Sequence, residues 1–142
     1  MIECSIIPFE YIDRFWPQVA PLLKPAAEHS HGRYVIEDVY DYVSKGSMTL
    51  WVAHIDGKII GAATTHKVDY PQKSVLCIGF LGGETPVEAW GVELLHLLQH
   101  YAGETGCDCL EAHGRLGWFK KLNPYGYSRV FECFELSIKK MF

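Results

Sequence analysis

The sequence predicts an α/β fold: a mixed, mostly antiparallel sheet with one central βαβ parallel pair and helices on both faces. Three observations carry this. Residues 74–81 (Ser-Val-Leu-Cys-Ile-Gly-Phe-Leu) are a near-continuous apolar run, the pattern of a strand buried on both faces. The run passes through a glycine turn, Gly82-Gly83-Glu84, into a helical stripe of Val87, Trp90, Leu94, Leu97, Leu98, Tyr101 and Ala102, and a second apolar strand begins at Cys107. Strand, helix, strand in that order makes the two strands parallel. Asp56-Gly57, between two strand-like runs, marks a type I′ hairpin and therefore antiparallel neighbours.

The other elements follow in chain order. Residues 2–7 read as a short first strand. Residues 8–23 carry Phe9, Ile12, Phe15, Trp16, Val19 and Leu22 at helical spacing, with a break or kink expected at Pro17 and Pro21. Residues 24–34 lack a period and read as a loop. A helix over 35–44 turns Ile36, Val39, Tyr40 and Val43 inward, with Gly46 as its C′ residue. Strands over 48–55 and 59–70 flank the hairpin, and Tyr70-Pro71-Gln72-Lys73 turns the chain into the central strand.

Thr85-Pro86-Val87-Glu88 reads as a capping box at the start of the long helix, with Pro86 at its first position. After the strand over 107–113 come a short helix at 116–122 and the turn Asn123-Pro124-Tyr125-Gly126. Residues 129–138 then alternate as a last strand through Val130, Phe131, Phe134, Leu136 and Ile138.

At 142 residues the chain is expected to form one domain with its own core. A net charge of −4 argues against broad contact with nucleic acid or an anionic membrane, with Lys120-Lys121 and Lys139-Lys140 as local basic pairs only. The N-terminus has no signal-peptide pattern and no apolar run approaches a membrane span, so a cytoplasmic location is expected. The five cysteines are expected to be buried free thiols.

Chemistry-bearing residues are few. Glu111 and His113 share a strand face with Cys107 and Cys109, which suits either as general base for an ammonium acceptor. His96 and His100 have metal-pair spacing but lie on a polar stripe without a third ligand, so no metal site is expected. Arg115, between two glycines, suits a phosphate or carboxylate.

The element order resembles the GNAT superfamily of N-acetyltransferases. Two stretches carry the resemblance: the central strand, glycines and helix over 74–104, and Gly117-Trp118-Phe119-Lys120-Lys121-Leu122 followed by Gly126-Tyr127. The second is similar to the family's late helix and its Gly-Phe or Gly-Tyr pair. The Gly114–Trp118 and Gly126-Tyr127 stretches also look like small phage-encoded GNAT-like proteins. The resemblance implies acetyl transfer from acetyl-CoA to an amine, small molecule or protein. It implies a cofactor site at Phe80, Leu81, Gly82, Gly83 and Trp118, and an acceptor side at His31, Arg33 and His66. Catalytic candidates on this reading are Glu111, His113 and Tyr125.

Three departures set this chain apart. Residues 81–87 lack the family's Gln/Arg-x-x-Gly-x-Gly/Ala loop and put Glu84 where a diphosphate would lie. The capping box would occupy or remove donors that a diphosphate needs. The family's late-helix tyrosine aligns with Leu122 or Phe119, leaving Tyr125 or Tyr127 as substitutes. The alternative is therefore a catalytically inactive GNAT-fold binding or structural protein, such as a virion component with a protein partner.

Overall fold

The computed structural model describes residues 1–114 and 116–138, except for the side chains of Leu116 and Phe119. The chain forms two compact units, Met1–Ala112 and His113–Phe142. The first contains β1 (Glu3–Ile7), α1 (Ile12–Glu28), α2 (Ile36–Ser44), β2 (Thr49–Ile55), β3 (Lys58–Asp69), β4 (Ser74–Gly83), α3 (Glu88–Glu104) and β5 (Cys109–Ala112). Its sheet has the strand order β1-β2-β3-β4-β5. All neighbours are antiparallel except β4 and β5, the parallel pair that the βαβ reading demands. At the hairpin, Asp56 and Gly57 both take positive φ (49° and 79°), as a type I′ turn requires.

Alternation along the strands assigns the two faces. Leu50, Val52, Ala62 and Phe80 join Val19, Leu23, Val39 and Val43 of α1 and α2 in one apolar cluster. The intervening residues face α3, where the Trp51 ring meets Tyr101 edge-on and Gly61 lies under Trp90. Helices thus cover both faces of the sheet.

Helix α1 corrects the expected break. It runs unbroken to Glu28 with Pro17, Pro21 and Pro25 inside it, so 24–28 is helix and not loop. The three prolines repeat every fourth residue and are all exposed, while Val19, Leu23 and Ala27 on the other side are buried. The carbonyls that lose their N–H partners therefore lie on the wet side, where water replaces the missing bonds. Helix α2 ends as expected, with Gly46 at φ 79° donating its N–H to Val43 O.

The second unit holds α4 (Leu116–Leu122) and the turn Asn123–Tyr125, closed by Gly126 at φ 97°. Residues 129–138 take no regular structure, which corrects the expected last strand. Phe134, Leu136 and Ile138 are each more than four-fifths exposed. Alternation marks a face, but a strand forms only against a partner edge. Arg115 and the Lys139-Lys140 pair lie outside the described residues. Among the described residues, no helix is long and apolar enough to cross a membrane.

Candidate functional site

The parallel pair is short. β5 pairs with β4 only from Val75↔Cys109 to Ile78↔Ala112. β4 continues five residues further to Gly83, paired there, among the described residues, on its β3 side alone. Among the described residues, 79–83 therefore have no strand partner on the β5 side. Gly82 and Gly83 belong to this strand, which corrects their reading as a turn.

A β-bulge fixes the start of that edge. Thr65 pairs with Ile78 and Thr64 with Phe80, leaving Gly79 as the extra residue. The fully buried Thr64 accepts the Phe80 N–H on Oγ1 at 3.1 Å. The Phe80 amide is thus turned toward β3, as is that of Glu84, which donates to Ile60 O at 2.8 Å. Successive residues of a strand point their N–H and C=O groups to alternate sides, so Leu81 and Gly83 direct theirs to the open side. Those two backbone positions are the polar groups this edge can offer a ligand.

The glycines have a packing reason. A Cβ on Gly82 would lie 2.1 Å from Leu22 O of α1, and one on Gly83 2.5 Å from the Trp90 ring. Trp90 is buried, donates Nε1–H to Glu84 O at 2.7 Å, and also covers Gly61. The glycines thus let two helices approach the sheet closely on opposite faces.

The expected capping box does not form. Helix α3 starts at Glu88 with Val87 at its N-cap, and no side chain caps it. The physical reason is the helix boundary: with Val87 as N-cap, Thr85 lies two residues too early for its hydroxyl to reach the first-turn amides. The N–H groups of Ala89 and Trp90 already donate to Pro86 O and Val87 O (3.1 Å each), and that of Gly91 to Val87 O at 2.6 Å. What the start offers an anion is therefore chiefly the positive end of the helix dipole. Glu84, which would oppose an anion there, is paired with Lys58 Nζ at 3.2 Å.

On the other side of β4, Tyr34 of the loop between α1 and α2 packs edge-on against Phe80 at 5.2 Å. Ser30 shapes this loop, accepting the Tyr34 N–H on Oγ at 2.9 Å, while His31 and Gly32 take positive φ. Arg33 folds back onto the carbonyls of Ser30 and His31. The loop that carries His31 and Arg33 is thereby tied to the bulged strand.

His66, Cys77 and Glu111 form a row across β3, β4 and β5, paired at one register and so on one face. Cys77 is buried, and burial followed by the neighbouring Glu111 charge pushes its thiol up to about 11. It is the one buried cysteine of five, all free: Cys4, Cys107 and Cys109 are half-buried and Cys133 exposed, which corrects the expected burial. Cys107 precedes β5 and bonds through its N–H to Ala102 O, so it is not part of a strand pair with Cys109.

The remaining predicted residues belong to the second unit. The His113 ring meets Phe131 edge-on at 6.0 Å. Trp118 packs against Gly114, where a Cβ would lie 3.2 Å from the tryptophan Cβ. Tyr125 is exposed in its turn. The Tyr127 hydroxyl is buried without a hydrogen-bond partner among the described residues, and burial pushes its phenol up to about 12. Sequence reasoning missed the Thr64 bond, the bulge and the Lys58 pair. The isolated Gly79 inside a strand was the available signal for the bulge.

No protein-family profile and no curated protein matches the chain. Solved structures do match, over nearly the whole length. A ribosomal-protein-alanine N-acetyltransferase from Brucella melitensis biovar Abortus 2308 gives a TM-score of 0.72 at 14% identity, covering 98% of this chain and 100% of that one. A GNAT family acetyltransferase from Staphylococcus aureus gives 0.69 at 14%, covering 96% and 98%. A predicted acetyltransferase with acetyl-CoA from Clostridium acetobutylicum gives 0.69 at 14%, covering 96% of both chains. At such identities the likeness is one of fold, and the fold of this chain is that of the GNAT acetyltransferases.

Proposed function

We propose that this chain is an N-acyltransferase that moves an acetyl group from acetyl-CoA to an amine. The observation that carries the reading is the open β4 edge, where β5 stops at Ala112 while β4 runs on to Gly83 beside an uncapped helix. The backbone groups of Leu81 and Gly83 would hold the amide-bearing arm of the cofactor in the manner of an added strand. The positive end of the α3 dipole would favour its diphosphate, with Lys58 offsetting Glu84. Acetyl-CoA, when bound, supplies an activated thioester. The chain's own part is to hold that carbonyl in place and polarise it with the fixed outward backbone dipole at Leu81, next to the Gly79 bulge. The acceptor would enter beside Tyr34 and Phe80, against the loop that carries His31 and Arg33. A thermal-shift titration with acetyl-CoA, repeated with dephospho-CoA, tests the first requirement. Stabilisation that rises with acetyl-CoA supports the reading, and no shift at millimolar ligand contradicts it.

A non-catalytic binding role is the second reading. It is supported by Gly82 and Gly83, whose lack of side chains is already explained by Leu22 and Trp90 without any ligand.

A further inference from the structure

We propose that His96 and His100 form a surface site for a divalent transition-metal ion of the nickel, copper and zinc series, with Glu104 positioning one of the two rings. Helix α3 runs unbroken from Glu88 to Glu104, so the two histidines stand one turn apart on one face. At that spacing the Cβ atoms of a helix lie about 5–6 Å apart, and two imidazoles can meet over one ion. Both histidines line a single recess together with Gln99, Gly103 and Glu104. His100 Nε2 lies 2.8 Å from a Glu104 carboxylate oxygen. With the Nε2–H donated to that oxygen, Nδ1 is left as the ligand atom. A carboxylate on the second ring nitrogen is the usual companion of a metal-binding histidine, because it fixes the tautomer and raises the basicity of the ligating atom. Among the described residues, no hydrogen bond or ion pair engages His96, so its ring can turn toward the ion.

The surroundings favour a cation. Helix α3 carries Glu88, Glu93 and Glu104 and no lysine or arginine. Glu93 stands three residues before His96, on the same stripe of the helix. The recess also sits in the last turns of α3, toward the negative end of its dipole. Lys67 reaches the helix end at Thr105 O, 3.2 Å away, but brings Asp69 with it as a counter-charge at 3.9 Å. Two imidazole nitrogens suit the nickel, copper and zinc series, whereas Mg²⁺ and Ca²⁺ take oxygen ligands. Water fills the remaining positions, which makes this an exchangeable site and not a structural one. Both histidines are exposed, so an ion enters without opening the fold.

The site lies at the far end of α3 from the proposed diphosphate position, and its test needs no acetyl-CoA. The full chain, tag-free and reduced, is titrated with Zn²⁺ and followed by NMR of its histidine ring protons. Of the seven histidines, His96 and His100 are expected to shift together, with one common dissociation constant. His96→Ala and His100→Ala should each weaken binding at the remaining ring by at least about tenfold, and Glu104→Gln by about tenfold with both rings still shifting. His29→Ala should leave it unchanged. All four positions are exposed, so the variants should fold, which circular dichroism checks. No shift of these two rings at millimolar Zn²⁺ overturns the proposal. So does a His96 shift whose affinity is unaltered in His100→Ala, or Zn²⁺ uptake that the cysteines alone account for. Unaltered affinity in Glu104→Gln overturns the positioning role of that carboxylate.

Discussion

Thr64 Oγ1 accepts the backbone N–H of Phe80 at 3.1 Å, across the bulge that Gly79 makes in β4. A fully buried hydroxyl thus stands in for the ladder bond lost to the bulge, and turns the next outward-facing backbone group, at Leu81, to the open edge. Thr64→Val keeps the shape and leaves a buried N–H unsatisfied. We expect it to lower stability by about 1–3 kcal/mol in urea denaturation, while Thr64→Ser retains most of the wild-type value. Equal stability of the two variants would deny the hydroxyl this role.

Gly82 should be intolerant of any side chain for steric reasons. Its Cβ would lie 2.1 Å from a backbone oxygen of α1, so strand or helix must move. Gly82→Ala is expected to cost about 1–3 kcal/mol or more in the same assay. Gly103→Ala, on the open face of α3 with nothing within 4 Å, should instead gain up to about 1 kcal/mol.

Cys77 makes a prediction in alkali. Its folded thiol is pushed up to about 11 from an ordinary value of 9.0. Between those values the unfolded chain loses the proton while the native state keeps it. The contribution is therefore fully present below pH 9 and is lost as pH rises toward 11. Cys4 is raised as well, so the readout is the difference between wild type and Cys77→Ser. Stability of the wild type should fall more steeply over that window than that of the variant. A parallel pH dependence would contradict the burial of this thiol.

Lys58 and Glu84 form an exposed pair whose removal should hardly alter stability, by less than about 1 kcal/mol. Its effect should appear in ligand binding instead. Lys58→Ala unmasks the Glu84 carboxylate beside the start of α3 and should weaken acetyl-CoA binding, and Glu84→Gln on that background should restore it. Thermal-shift titration of the two variants and the wild type checks the order.

Local chemistry made much of the fold legible. Asp56-Gly57 specifies its turn because few dipeptides accept two positive φ angles, and 74–81 is apolar because both faces of β4 are covered. The errors arose where one residue type serves two physical roles. Prolines usually end helices, yet Pro17, Pro21 and Pro25 fall on one solvent face and leave α1 intact. Gly82 and Gly83 resemble a turn, but they are strand residues pressed by two helices. The site was less legible than the fold. The open edge depends on where β5 stops, and the role of Thr64 depends on a partner sixteen residues away, neither of which has a local pattern.

The central claim is that the outward backbone groups of β4 bind acetyl-CoA. Leu81→Pro removes the Leu81 N–H, which faces the open side and makes no ladder bond, a position where a strand tolerates proline. Calorimetric titration with acetyl-CoA should give one-to-one binding for the wild type and a loss of at least about tenfold for Leu81→Pro with an unchanged circular-dichroism spectrum. No heat of binding in the wild type at millimolar ligand, or equal affinity in the two proteins, would contradict the account.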